Sequence, residues 1–295
     1  MKPPLFRYLD PETLEEALEL LDEYGDEAKV LSGGQSLMPM LAMRLAYPSF
    51  LIDLNRIHQL DYIRHENGSL KIGALARHSS VEDSATVAAV CPLITEAMPH
   101  VGHRAIRNRG TVAGSVAHAD PAAELPAVLV ALDASAVVAK KSGTRTMPVS
   151  DLFEMPLVSR LDADEIVTAI QVPGQPAGSG SAVLEIARRH GDFALAGVAA
   201  SACVDSAGQL NQIRLASFGT GPTPIRLTRA EQVLTGTELT DTALREAGTA
   251  AVEELDPPSD VHASAAYRRT VTEVLVRRAV RAAAEQAVTT AGPAS

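Results

Sequence analysis

Two short glycine-rich loops, each flanked by hydroxyl residues and each entering a predicted helix, constrain this chain more than any other feature. The first is Ser32-Gly33-Gly34-Gln35-Ser36 and the second is Thr111-Val112-Ala113-Gly114-Ser115. Glycine lets the backbone approach an anion closely, consecutive amides form a nest, and a following helix adds about half a positive charge at its amino end. Neither spacing is that of a Rossmann or Walker loop. Taken singly, each loop reads first as a turn; taken as a pair, they suit one pyrophosphate gripped from two sides. Spacing alone leaves both readings open.

Around the loops the hydrophobic pattern alternates strand and helix. Asp10-Pro11-Glu12-Thr13 predicts an N-cap and an N1 proline, with Leu14, Ala17, Leu18 and Leu21 on one helical face and Gly25 as the stop. Lys29-Val30-Leu31 reads as a strand running into the first loop, Leu37 to Leu45 as a helix and Phe50 to Leu54 as a returning strand. This rhythm predicts a small parallel or mixed sheet with the loop at a strand's carboxyl end, where open α/β sheets place ligands. A second lobe starts near residue 58, with a hairpin turning at Asn67-Gly68 and helices over 81–89 and 92–101. An apolar helix over 125–132 and a strand over 134–139 follow the second loop.

Pro173 to Ser181, rich in proline, glycine and serine, is the sharpest composition break and predicts a domain boundary. Beyond it strands are expected over 183–188, 198–204 and 213–218, and helices over 228–234, 241–254 and 264–287. Residues 1–175 and 181–287 thus form the expected domains, the first in lobes of about 1–57 and 58–175, with 288–295 as a tail.

The charge balance narrows the function classes. Lys and Arg number 26 against 36 Asp and Glu, a net charge of −10, which argues against nucleic-acid partners. No apolar run approaches the roughly 20 residues of a membrane span, and Met1-Lys2-Pro3-Pro4 opens no secretory signal, so a cytoplasmic protein is expected. Cys91 and Cys203, the two cysteines, lie too far apart for an iron-sulfur site and read as small buried apolar residues. Of eight histidines only His100 and His103 stand close together, with no further ligand at metal spacing; no metal site is expected. His118, in His118-Ala119-Asp120, reads either as a solvated turn or as a neighbour of a ligand. Arg104, Arg107 and Arg109 read either as a solvated face or as contacts to phosphate or an acidic partner.

Four ordered blocks carry a family resemblance. Ser32-Gly33-Gly34-Gln35-Ser36-Leu37-Met38-Pro39 resembles the first FAD signature of the molybdenum hydroxylase flavoproteins, and Asn108 to Ser115 resembles the second. Ser217 to Arg226 and Asp260 to Arg269 are similar to that family's C-terminal domain. The similarity spans about residues 1–287 and is strongest to the medium subunit of the xanthine dehydrogenase and aerobic carbon monoxide dehydrogenase family. It implies an α+β fold: a two-lobed FAD-binding domain of the vanillyl-alcohol-oxidase (PCMH) type, followed by a C-terminal α+β domain of the carbon monoxide dehydrogenase flavoprotein type.

Carried over residue by residue, the resemblance implies that Ser32, Gly33, Gly34, Gln35, Ser36 and Leu37, with Thr111, Val112, Ala113, Gly114 and Ser115, hold non-covalent FAD. Lys29 would add positive charge, Glu124 would bond a polar edge of the cofactor, and Val101 and Val167 would touch its rings. Ala113 departs from the pattern, since many relatives carry glycine there. Phe193 stands where relatives place a tyrosine beside the isoalloxazine ring; it reads equally as an ordinary core residue. No catalytic residue is implied on this chain. The resemblance also implies an iron-sulfur small subunit with two-iron, two-sulfur clusters and a large subunit with the molybdenum cofactor, arranged as a dimer of heterotrimers. The chain would then pass electrons from those clusters to an external acceptor. A free-standing flavin oxidase or reductase, and a flavin-free scaffold, are the alternatives.

Overall fold

The computed structural model describes residues 2–291. Its first lobe contains β1 (Arg7–Leu9), α1 (Leu14–Tyr24), β2 (Ala28–Leu31), α2 (Leu37–Ala42) and β3 (Phe50–Asp53). Helix α1 buries Ala17, Leu18 and Leu21, and Tyr24 at its end stacks on Phe50 with ring centroids 3.8 Å apart. Its N-cap is Thr13, not the expected Asp10 and Pro11: Thr13 accepts from the Glu16 amide at 3.2 Å, and the Glu16 carboxylate reaches back to the Glu12 amide at 2.8 Å. That reciprocal pair satisfies two amides at once and starts the helix three residues later. The expected small sheet forms, all parallel, in the order β1-β3-β2. Helix α2 stops at Ala42 rather than Leu45, with Arg44 just beyond it in the left-handed region at φ 57°.

The second lobe begins with β4 (Ile63–Glu66) and β5 (Ser69–Gly73), joined by Asn67 and Gly68 at φ 51° and 74°, as their hairpin signature requires. Helices α3 (His78–Glu82), α4 (Ala85–Val90) and α5 (Pro92–Ala97) follow. The expected helix over 81–89 is broken at Ser84, whose hydroxyl caps α4 through the Val87 amide. The chain continues through α6 (Arg104–Arg107), α7 (Val112–His118), α8 (Glu124–Ala131), β6 (Ser135–Lys140), β7 (Gly143–Pro148), α9 (Val149–Leu152), β8 (Phe153–Met155), β9 (Val158–Ser159) and β10 (Ile166–Pro173). A five-stranded antiparallel sheet results, in the order β4-β5-β10-β6-β7.

The C-terminal sheet, β11 (Gly180–Ala187), β12 (Ala194–Val204), β13 (Leu210–Phe218) and β14 (Ile225–Arg226), is an antiparallel meander. Gly180 and Ser181, expected in the linker, already belong to β11. Helices α10 (Thr228–Leu234), α11 (Asp241–Val252) and α12 (Ala265–Ala291) cover one face, over Val198, Leu210, Ile213 and Leu215. The other face, with Val183, Ala199, Ala216 and Phe218, packs into the core of the preceding domain beside α5 and α8. Helix α12 runs past the expected end at 287 into the expected tail; residues 292–295 of that tail lie outside the described residues. Gln175, in the linker, bonds the Leu93 amide at 2.9 Å and the hydroxyls of Ser181 and Ser201 at 3.0 and 2.8 Å, pinning the two domains together.

The third and fourth blocks of the sequence meet in this domain. Buried Arg268 donates to the carbonyls of Leu195 and Gly219, the latter at 3.0 Å, and pairs with Asp260 at 2.7 Å. Arg226 reaches Asp133 at 2.7 Å and the Val130 carbonyl at 3.2 Å, tying the sheet edge to the end of α8.

Candidate functional site

The carboxyl ends of β2 and β3 open onto a cleft of about 480 Å³. Ser32, Gly33, Gly34 and Gln35 form one wall, Met38 and Pro39 of α2 another, and Asp53, Asn55 and Arg109 close the far side. Gly34 takes φ +72°, a conformation that glycine adopts without strain. At Gly33 the two loops touch: a Cβ built there would lie 2.3 Å from the Arg109 carbonyl oxygen and 2.7 Å from the Gly110 Cα. Only a residue without a side chain fits between the lobes at this point.

A polar network stitches the contact. Ser32 Oγ and Thr111 Oγ1 are 3.0 Å apart. Asn55 donates to the Ser32 carbonyl at 3.0 Å and accepts from Arg77, which donates to the Arg109 carbonyl at 2.7 Å. Thr111 caps α7 through the Gly114 amide at 3.1 Å. Among the described residues, none supplies an acceptor to the amides of Gly33, Gly34, Gln35 or Ser36. Four adjacent donors at the mouth of a cleft are unused by the protein itself, and such groups normally find a partner.

The electrostatics point the same way. Half-buried Arg77 has its pKa lowered, first by desolvation and then by the charge of Arg109, and neither guanidinium is paired with a carboxylate among the described residues. Asp53 lines the cleft too, but its oxygens are engaged by the Tyr8 hydroxyl at 2.7 Å and the Asn55 amide at 2.9 Å. The cleft therefore offers donors and positive charge to an anion. The basic cluster divides: Arg104 pairs with Glu82 and Asp83, buried Arg107 pairs with Glu82 and the Gly102 carbonyl, and Arg109 alone of the three lines the cleft.

Asn55 and Arg77, which hold the loops together, and Asp53 were not read as site residues from the sequence. Position just past the strand end at Asp53 was the available signal for Asn55; Arg77 gave none. Ala113 is buried among the core residues, so its methyl group does not stand in the cleft. Lys29 is exposed on β2, and neither it nor Ser36, Leu37, any residue of the second loop from Thr111 to Ser115, Glu124, Val101, Val167 or Phe193 lines the cleft; the second lobe reaches it through Arg109. Val167 packs in the core beside the bulge of β10, and Val101 lends its carbonyl to Arg107 at 3.3 Å.

Glu124 opens α8 in a second polar group. Burial, with the nearby Glu185 charge, pushes its carboxyl up to about 7. His100, at the end of the short 3-10 turn Met98–His100 that follows α5, pairs with Glu185 of β11 at 3.3 Å, which raises the imidazole pKa. His103 instead stacks on His190 at 6.1 Å, so the two neighbouring histidines turn to different partners. Among the described residues no group of three His, Cys, Asp or Glu stands ready to hold a metal ion. Phe193 is 61% exposed and no core residue; its ring face is open. His118 is half-buried, and Asp120 beside it accepts from the Ala122 amide at 2.9 Å in a turn. Cys91 is buried, its thiol pushed up to about 12 by desolvation, whereas Cys203 is half-buried with Ser179 Oγ at 3.1 Å, more polar than expected. No helix of the described residues is long and apolar enough to cross a membrane.

Residues 4–175 match the family described as the FAD binding domain in molybdopterin dehydrogenase, and residues 181–283 match the CO dehydrogenase flavoprotein C-terminal domain. The chain is 42% identical to the 6-hydroxypseudooxynicotine dehydrogenase complex subunit alpha of Paenarthrobacter nicotinovorans, over 97% of each protein. It is 39% identical to the nicotine 6-hydroxylase medium subunit of the same organism, over 95% of this chain and 98% of that one. The solved structure of carbon monoxide dehydrogenase from Hydrogenophaga pseudoflava superposes with a TM-score of 0.94 at 37% identity, over 97% of this chain and 99% of the other. With both domains matched in order over nearly the whole chain, this chain belongs to the FAD-binding flavoprotein family of the molybdopterin dehydrogenases, a family of oxidoreductase subunits.

Proposed function

We propose that this chain is the FAD-binding electron-transfer subunit of a heterotrimeric molybdenum hydroxylase. The observation that carries the reading is the cleft itself: two lobes interlocked at Gly33, with the amides of Gly33, Gly34 and Gln35 and the guanidinium of Arg109, none of them partnered among the described residues, around a space fit for a pyrophosphate. The amides of residues 33–36 and the first turn of α7, from Thr111 to Ser115, would bind the phosphates, with Ser32 and Thr111 turned to neighbouring hydroxyls. Gln35, whose side-chain amide donates to the Gly33 carbonyl at 3.1 Å, and Leu37 would complete the first loop's contacts with the cofactor. Lys29, Val101, Val167 and Phe193 would complete the envelope. Glu124, with a carboxyl near neutrality, stays in part protonated at pH 7 and would donate a hydrogen bond to a cofactor acceptor.

When bound, FAD supplies the redox chemistry, taking electrons from iron-sulfur clusters on a small subunit and passing them to an external acceptor. The protein's own part is to fix the cofactor and exclude competing reactions. Cys91 and Cys203 supply too few thiolates for a cluster, so the clusters would sit on the small subunit, and hydroxylation would belong to a large subunit with the molybdenum cofactor, as the family resemblance implies. The assembly would be a dimer of heterotrimers in the cytoplasm, with residues 1–175 and 181–287 as the domains of this subunit.

To test this, the chain is purified alone and together with the products of its neighbouring reading frames, then assayed for flavin absorbance, iron, molybdenum and substrate-dependent dye reduction. The isolated chain is expected to be yellow, free of metal and inactive on substrate, with activity only in the assembled complex. Turnover of an organic substrate by the metal-free chain would refute the subunit reading and favour a free-standing flavoenzyme. A colourless chain that cannot be loaded with FAD would favour a scaffold.

A further inference from the structure

One guanidinium that does not line the cleft is bonded to both of its sides. Arg77 is the N-cap residue of α3. Its Nη1 donates to the Arg109 carbonyl at 2.7 Å, just before the second glycine loop, and its Nη2 donates to Asn55 Oδ1. Asn55 Nδ2 in turn donates to the Ser32 carbonyl at 3.0 Å, where the first loop begins. A backbone bridge between Arg77 and Thr111 anchors the residue from which this fork reaches out.

The direction of the chain of bonds is fixed from its far end. Asp53 accepts from the Tyr8 hydroxyl at 2.7 Å, from the Asn55 backbone amide at 2.9 Å and from Asn55 Nδ2. An ionised carboxylate only accepts, so the side-chain nitrogen of Asn55 turns toward Asp53 and Ser32, and Oδ1 is left to receive Arg77. Tyr8, Asp53, Asn55, Arg77 and Arg109, which come from four separate stretches of sequence, are thereby joined in one line beneath the cleft.

The two carbonyls at the ends of this fork are the ones an anion would meet. Both belong to residues of the cleft wall, and a carbonyl oxygen left there without a donor would repel a phosphate. The Arg109 oxygen is also the atom against which Gly33 packs, since a Cβ on Gly33 would lie 2.3 Å from it. Where Arg77 holds that oxygen therefore decides how far the amides of the first loop stand from the Arg109 guanidinium. Lysine carries the same charge, but a single ammonium does not replace a planar fork that spans two acceptors in fixed directions.

We propose that Arg77 is a positioning residue for the phosphates of FAD: without touching the cofactor, it sets the affinity by holding the two sides of the cleft at one spacing and keeping the Arg109 carbonyl occupied. This rests on the reading above that the cleft takes the pyrophosphate.

The test uses the full chain, stripped of flavin and titrated with FAD. Arg77→Met, Arg77→Lys, Asn55→Ala and the Asn55→Ala/Arg77→Met double variant are compared with wild type. Arg104→Gln is the control, because it removes the same charge from an arginine engaged by Glu82 and Asp83. The Kd for FAD, the melting temperature of the apoprotein and the phosphorus NMR shifts of FAD bound at saturation are measured. Arg77→Met and Arg77→Lys should each raise the Kd at least about tenfold, the scale of one lost hydrogen bond from a charged donor. Both should also displace the phosphorus resonances of bound FAD, and the control should match wild type. A merely structural role would lower the melting temperature and leave those resonances in place. Arg77→Met should add less than about threefold to the loss already caused by Asn55→Ala, because the line is then already cut. An Arg77→Lys chain that binds FAD as tightly as wild type overturns the proposal, as do unmoved phosphorus shifts in the Arg77 variants or fully additive losses in the double variant. If Arg77→Met does not fold, Arg77→Lys decides on the same readouts. Phosphorus shifts in the wild-type complex equal to those of free FAD would instead overturn the reading of the cleft beneath it.

Discussion

Replacing His78 with leucine should flatten a specific part of the protein's stability curve against pH. His78 opens α3 directly beneath the second glycine loop: its amide donates to the Gly110 carbonyl at 2.9 Å, and its ring packs so close that a Cβ on Gly110 would lie 2.9 Å from Nδ1. The residue is 5% exposed, and among the described residues neither ring nitrogen has a hydrogen-bond partner. Desolvation dominates and lowers its pKa from 6.5 to about 4; the nearby Thr111 backbone offsets part of this, and the charges of Arg107 and Arg77 add to it. The native state thus holds the ring neutral and binds fewer protons than the unfolded chain between these values. Stability from this residue is complete above pH 6.5 and is lost as pH falls through 4. The loss is about 2 kcal/mol by pH 5 and about 3 kcal/mol in full, from 1.36 kcal/mol per pKa unit. Leucine has similar volume, no proton to bind and no unpartnered nitrogen to bury, so at pH 7 the variant should be as stable as wild type or slightly more so. Urea unfolding at fixed, saturating FAD, at pH 7, 6 and 5, gives the difference between the two proteins, in which all other titrating groups cancel. A difference that stays constant from pH 7 to 5 would refute the picture of a neutral, desolvated His78.

Further perturbations separate cofactor contacts from packing. Gly34→Val forces a β-branched residue to φ +72° against Leu31 and Met38, and Gly33→Ala drives a methyl into the Arg109 carbonyl; each should raise the Kd for FAD at least about tenfold in a titration of apoprotein. Unchanged affinity in both would remove the first loop from the site. Phe193→Ala should cost no more than about 0.5 kcal/mol of stability, as expected of an exposed side chain, yet shift the flavin spectrum. An unaltered spectrum would separate Phe193 from the flavin. Glu124 has the opposite sign to His78: its folded pKa is raised from 4.5 to about 7, so wild type loses stability as pH rises through 7. Against a Glu124→Gln reference that loss should total about 3 kcal/mol between pH 4.5 and 8, and a flat difference would show the carboxyl to be solvated.

What could be read from the sequence follows from where the determinants lie. Strands β2 and β3, the Asn67-Gly68 hairpin and α10 carry their signals within a few residues, and their patterns announced them, whereas β1 is fixed by pairing with β3 some forty residues away and was not read. β10 did not stand out, although it is the central strand of the larger sheet. Buried on both faces, Ile166 to Val172 shows no alternation, and β-branched enrichment was the remaining signal. The same holds for the cleft. Gly33, Gly34 and the hydroxyls of Ser32 and Thr111 belong to motifs, whereas Arg77 acts through partners 22 and 32 residues distant. The three clustered arginines looked equivalent along the chain; distant Glu82 distinguishes Arg107 from Arg109.

The C-terminal sheet, apolar on both faces, has a consequence for how such a protein can be made and divided. Residues 175–181 look like a place to cut, and the hydrogen bonds of Gln175 make the junction local. Yet Val183, Ala199, Ala216 and Phe218 have no cover of their own and are roofed by residues synthesised long before them. During translation, the first 175 residues emerge with that roof bare, and it stays exposed to aggregation or chaperone capture until more than a hundred further residues have left the ribosome. Splitting the gene at the linker should therefore yield two halves that persist only when co-produced, and grafting a C-terminal segment from a relative should succeed only where its inward face matches α5 and α8.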